Sequence, residues 1–462
     1  MIPNHSPWIA QLNRTRPVVP ITKDTSADVV IVGGGIAGVT TAYFILRDRD
    51  KKVVMLEADK IAHGATGHNA GQITSYFERP LSEIVAKFGF EMALEGQRLV
   101  ESAWILLDQI VAEAKLQTSL YRFAGYAGLS SFKQVTKHLK DNRLRVDYGL
   151  IPESFVVADH WNRREDIPKE FGDLYTVAPQ KDILELLETN NQDYIAALST
   201  QKGCMNSALF SEELIGYLVA THKERFSFYE GSPVKTVRLK SDTATLDVLA
   251  HKVEAKRVIL CTKGFENFSI INEAGSDIDT KFHHLVAGRI GYMSGHLEPL
   301  KNPPVAISYF PRTDQKNNDP TGESYYYLTR RPQEHEGMGS CNLVCTGGPD
   351  KVLPNGAEYS RKELCSENIR IEINEFLEDN YCKYPKEEPE SPFCWHGPMG
   401  YTPNGIRRIG PEPCNPVLMY NLGCNGVGIL PSVYGGKRVS QHINDEKLEQ
   451  SIFDPQDQRC EV

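Results

Sequence analysis

Gly33, Gly35 and Gly38 stand at a GxGxxG spacing directly after an apolar run at 29–32, and Glu57 closes a second apolar run at 53–56. Gly33 permits a tight turn off a strand, and Gly35 lets backbone N–H groups approach a pyrophosphate. Gly38 lets the following helix pack close to the sheet, and the Glu57 carboxylate can accept hydrogen bonds from a ribose. The glycines alone would fit any tight turn. The strand, glycine turn, helix and acidic strand end together describe a nucleotide-cofactor site.

Beyond Glu57 lies GATGHNAGQ, residues 64–72, whose small side chains let backbone run beside a large ligand. The plainer reading is an ordinary loop. Four further stretches stand in order: YEGSPVKTV, VILCTKGF, YTPNGIRRIG and NLGCNGVGILPSVYGGKRVSQHI. With the opening unit, they resemble the D-amino-acid oxidase-like family of FAD-dependent oxidoreductases, including its gamma-glutamylputrescine oxidoreductase-like branch. Many members read GASGRNGG where this chain has GATGHNAG.

The resemblance implies an α/β chain with a Rossmann-like FAD-binding domain and a second, mixed-sheet α+β substrate domain. FAD would lie along Gly33, Gly35, Ile36, Ala37 and Gly38, then Glu57 and Ala58. The segment Gly64, Ala65, Thr66, His68, Asn69, Ala70, Gly71 and Gln72 would continue the contact. Val234, Thr262 and the loop Asn425, Gly426, Val427 and Gly428 would complete it. A histidine attaches flavin covalently in the dimethylglycine and sarcosine dehydrogenase branch, whose motif ends HAAG. His68 is in register with it, but noncovalent FAD is the expectation here.

The implied reaction oxidises a carbon–nitrogen bond: a hydride passes to the flavin and the imine hydrolyses. Tyr327, Arg330 and His396 are the catalytic candidates, set against tyrosines packing a half-buried sheet and a hydrogen-bonded histidine. His283 and His284 are weaker ones. Alternation on one strand places Tyr325 and Tyr327 on one face and Tyr326 on the other. In members resembling glycine oxidase, GLRPxTPDG carries an arginine that grips a substrate carboxylate. This chain reads GPMGYTPNG, putting Met399 there, which favours a small amine over an α-amino acid. Arg289 or Arg330 supplying the grip would restore the amino-acid reading. The alternative of another class is an inert flavin-binding protein acting in a complex. The electron acceptor, oxygen or a quinone among the options, is left open by the sequence.

The expected pieces are an N-terminal arm at 1–26 lying on the surface, and an FAD domain at 27–80, 203–275 and 392–446. The substrate domain would take 81–202 and 276–391, with a tail at 447–462. Apolar spacing predicts one continuous helix over 79–115 and another over 361–381. An exposed loop is expected at 314–324. The chain has 462 residues, 40% hydrophobic and 24% charged, with a net charge of −9, which argues against nucleic acid. It carries no apolar run long enough to span a membrane and no apolar leader, so the cytoplasm is the expected compartment. The ten cysteines lack CxxC pairs and read as reduced thiols, and no metal site is expected.

Overall fold

The computed structural model describes residues 3–48, 50–161, 167–264, 267–280, 282, 286–311, 325–335, 339–354, 359–385 and 392–455. Five strands run parallel in the order Phe226–Tyr229, Val53–Leu56, Thr25–Val32, His251–Leu260, Asn415–Leu422. Val29 to Val32 are buried, as a parallel strand covered on both faces requires. Chain order reverses at Thr25–Val32, and ligands of such sheets bind beyond the strand ends at the reversal. Antiparallel strands Val234–Leu239 and Ala244–Val248 extend the sheet from the first half of His251–Leu260.

The helix Ile36–Asp48 is buried from Ile36 to Leu46 and crosses the last helix, Ile429–Ile443. A Cβ at Gly436 would come 2.9 Å from the Thr41 nitrogen, so this glycine permits the crossing. Among the described residues the second sheet has ten strands and begins Phe393–Tyr401, Ala287–Pro299, Gly339–Leu353, Tyr326–His335, Val305–Phe310. It continues through Tyr121–Leu129 to Ala196–Cys204, and Gln72–Ile73 pairs with the end of that strand.

Several expectations need correction. The strand Phe393–Tyr401, grouped by sequence with the FAD unit, pairs with Ala287–Pro299 in the second sheet, Met399 opposite Arg289. The helix expected over 79–115 is two, Leu81–Phe88 and Phe90–Ala114, because Gly89 at φ +82° ends the first. The helix of 361–381 spans Glu367–Asn380. The N-terminal arm does run over the surface at 17–20, which is exposed, but its start is anchored, with Trp8 wholly buried. Among the described residues eight cysteines are free thiols, but Cys414 is disulfide-bonded. Among the described residues no helix is long and apolar enough to cross a membrane. His283, His284 and 314–324 lie outside the described residues.

Candidate active site

One cavity of about 1240 Å³ runs from the end of Thr25–Val32 to the tyrosine face of the second sheet. At its first end Gly33 takes φ +108°, and a Cβ there would meet the Cys261 carbonyl oxygen at 2.8 Å. A Cβ at Gly38 would overlap the Gly33 carbonyl oxygen, so the helix start can lie against the turn only as glycine. Ile36 N–H donates to Thr66 Oγ1 at 3.0 Å, tying the helix to the small-residue segment. Glu57 accepts from the N–H groups of Gly34 at 2.7 Å and Asp59 at 2.9 Å, which orients its carboxylate beside the cavity. Gly35, Ile36, Ala37, Ala58 and Val234 line this end, with Thr262.

Gly64, Ala65, Thr66, His68, Asn69, Ala70 and Gln72 line the middle. The Asn69 side chain donates to the Thr66 carbonyl at 2.8 Å and accepts from Gly71 N–H at 2.6 Å, locking the turn. His68 Nδ1 lies 3.0 Å from the Gly64 carbonyl oxygen, so the proton sits on Nδ1 and Nε2 keeps its lone pair. Burial pushes the His68 pKa down to about 4, and the ring is neutral at pH 7. Gly426, Val427 and Gly428 line the far side at the start of the last helix.

Not every candidate reaches the cavity. Gly71, at φ +65°, is pressed against the Trp8 ring, and Asn425 is spent locally, accepting from Thr402 N–H at 2.7 Å. Tyr327 and Met399 do line it, but Arg330, His396 and Arg289 do not. Arg330 is fully buried and donates twice to Glu188, at 2.6 and 2.8 Å, and once to Tyr381. His396 has both ring nitrogens engaged, with the Tyr359 hydroxyl and the Glu363 carbonyl, each at 3.0 Å. Arg289 pairs with both oxygens of Asp350, at 3.1 and 3.0 Å, over the Tyr401 ring. Each is a sheet-packing group.

Sequence reasoning missed the charged lining. Glu78 accepts from the Tyr325 hydroxyl at 3.0 and 3.2 Å, and burial raises its pKa to about 7. Lys202 donates to Ser308 at 3.2 Å, and burial lowers its pKa to about 8. Arg407 donates to the Asn421 side chain at 2.7 Å and the Asn421 carbonyl at 2.8 Å. Among the described residues no carboxylate lies within ion-pair distance of it. No local motif marks any of the three.

The profile of the FAD dependent oxidoreductase family matches residues 28–442. Gamma-glutamylputrescine oxidoreductase of Escherichia coli is 31% identical over 104 residues, covering 22% of this chain and 24% of that protein. A putative Rieske 2Fe-2S iron-sulfur protein of Bacillus subtilis is 24% identical over 242 residues, covering 51% of this chain and 47% of that protein. The chain thus spans less than half the length of either relative. Glycine oxidase from Geobacillus kaustophilus superposes with a TM-score of 0.66 at 15% identity, covering 93% of this chain and 98% of that one. This chain therefore belongs to the FAD dependent oxidoreductase family.

Proposed function

We propose that this chain oxidises the carbon–nitrogen bond of a small amine with FAD as hydride acceptor. The residues present fit the cofactor. The cavity is continuous from Glu57, through the start of Ile36–Asp48, to the start of the last helix, and Arg407 offers it a buried cation lacking a carboxylate. Burial lowers the Arg407 pKa only to about 10, so it stays charged at neutral pH. Glu57 would take the ribose, Gly35 to Ala37 the diphosphate, and Gly426 to Gly428 the flavin end. The bond to FAD is read as noncovalent, with attachment through His68 the alternative.

Bound FAD supplies the hydride acceptor. The chain's own part is to hold the amine in a water-poor recess walled by Tyr325, Tyr327, Tyr401 and Met399. The observation that carries the amine reading is Met399 lining the cavity where the resemblance expects an arginine. Both replacement arginines are already held, Arg289 by Asp350 and Arg330 by Glu188. Lys202, charged and cavity-lining, favours a second reading, in which an α-amino acid is the substrate. Oxygen or a quinone would reoxidise the flavin.

Product analysis tests this. Primary alkyl amines are expected to yield aldehyde and ammonia. Oxo acids from amino acids alone would favour the second reading. No product from FAD-loaded protein with either class and either acceptor would overturn both.

A further inference from the structure

Carboxylates elsewhere in this molecule, the buried Glu188 and Glu230 and the exposed Asp350, are settled by cations. Glu188 holds Arg330 and Lys383, Glu230 holds Arg14 and Arg16, and Asp350 holds Arg289. Glu78 differs. Among the described residues its side chain receives one phenol, Tyr325, and no cation lies within ion-pair distance. An ionised carboxylate can accept about four hydrogen bonds, so Glu78 can take further donors from a ligand.

Its position decides what that ligand can be. The Glu78 side chain packs on Gly426, where a Cβ would meet its Cγ at 2.7 Å, so only glycine in the flavin-side loop admits it. Its other side meets the tyrosine strand, and the whole group lines the cavity. Tyr325 and Tyr327 stand with ring centroids 5.8 Å apart and Tyr401 lines the same recess. An ammonium there would meet one carboxylate and several aromatic rings, the surroundings that bind cationic nitrogen.

Resting on the amine reading above, we infer that Glu78 holds the substrate's ammonium group and accepts its proton. A proton leaves the ammonium nitrogen for a Glu78 carboxylate oxygen. The electron pair of the broken N–H bond stays on nitrogen, and a carboxyl O–H forms. Nothing is oxidised in this step, and it leaves the neutral amine that hydride loss requires. A carboxylate titrating near neutrality suits both roles, since it is ionised when substrate arrives and can hold the proton afterwards. The groups that face Glu78 are Tyr76 from its own segment, Lys202 from Ala196–Cys204, Asp350 from Gly339–Leu353, Tyr327 beside Tyr325, and Tyr401 from Phe393–Tyr401. Lys202 repels an incoming cation until it loses its own proton near its pKa of about 8.

The experiment uses FAD-loaded protein and tert-butylammonium chloride, which has no hydrogen on the carbon beside nitrogen and so binds without being oxidised. Calorimetry reads its Kd across neutral pH. In the wild type, binding tightens as pH rises through about 7, because Glu78 gains charge. Glu78→Gln weakens binding about tenfold or more near pH 8 and removes the step near 7. Lys202→Met keeps that step and binds more tightly below pH 8. Glu78→Asp retains the pH dependence with weaker binding, and serves if Glu78→Gln loses FAD. Unchanged affinity and pH profile in the Glu78 variants would overturn the inference. Glu78-dependent binding without oxidation of any amine would leave this site standing and sink the proposed reaction. Amine oxidation with wild-type pH dependence in Glu78→Gln would do the reverse.

Discussion

At Gly35 an added Cβ would stand 2.9 Å from Thr66 Oγ1, the atom that receives the Ile36 N–H. A β-branched side chain there displaces that contact and fills the approach to the helix start. Gly35→Val is therefore expected to purify without flavin, read as the ratio of visible to ultraviolet absorbance; full yellow colour would refute the diphosphate assignment. Arg407 makes a complementary case. Its guanidinium is buried on Asn421 and charged, so Arg407→Met removes a cation while keeping much of the volume. One charge-assisted contact is worth about 1.5–3 kcal/mol, so the Kd for FAD should rise roughly tenfold to a hundredfold. An unchanged Kd would take Arg407 out of the cofactor site.

The N-terminal segment shows what an element does for those residues. Trp8 donates to the Asn69 carbonyl at 2.5 Å, Ser6 donates to the Gly67 carbonyl at 2.5 Å, and Arg331 lies over the Trp8 ring at 5.1 Å. The arm thus clasps the 64–72 segment from outside the cavity. Trp8→Ala should cost about 3–5 kcal/mol of stability and also weaken FAD binding, read by thermal melting with and without added FAD. A melting loss with unchanged FAD affinity would make the arm a fold element only. The glycine turn was legible because its logic is local: five or six adjacent residues and the next strand end. The arm was not, since prolines and polar residues look alike whether a tryptophan is exposed or buried. Arg330 and His396 were misread for a related reason. Residue type reveals a capacity for chemistry, but the partner that consumes it, Glu188 for Arg330, is 142 positions away. Glu78 was invisible in the same way, being 247 positions from Tyr325.

Across the whole molecule the two sheets divide the work. The parallel sheet offers its strand-order reversal, where nucleotide cofactors bind, and the second sheet faces it with tyrosines, Met399 and Lys202. Gln72 fixes the end of the small-residue segment to the second sheet, pairing through its backbone with Cys204 and donating from its side chain to Thr329 at 2.9 Å. With FAD held as proposed, its flavin end would face one recess, and what that recess accepts is the central claim. The direct measurement is the rate of bleaching of the visible flavin band under anaerobic conditions, comparing carboxylate-free alkyl amines with glycine, sarcosine and D- and L-amino acids. Faster bleaching by a carboxylate-free amine is the predicted result. Faster bleaching by any of the amino acids would contradict the amine reading, and no bleaching by either class would contradict the reaction itself.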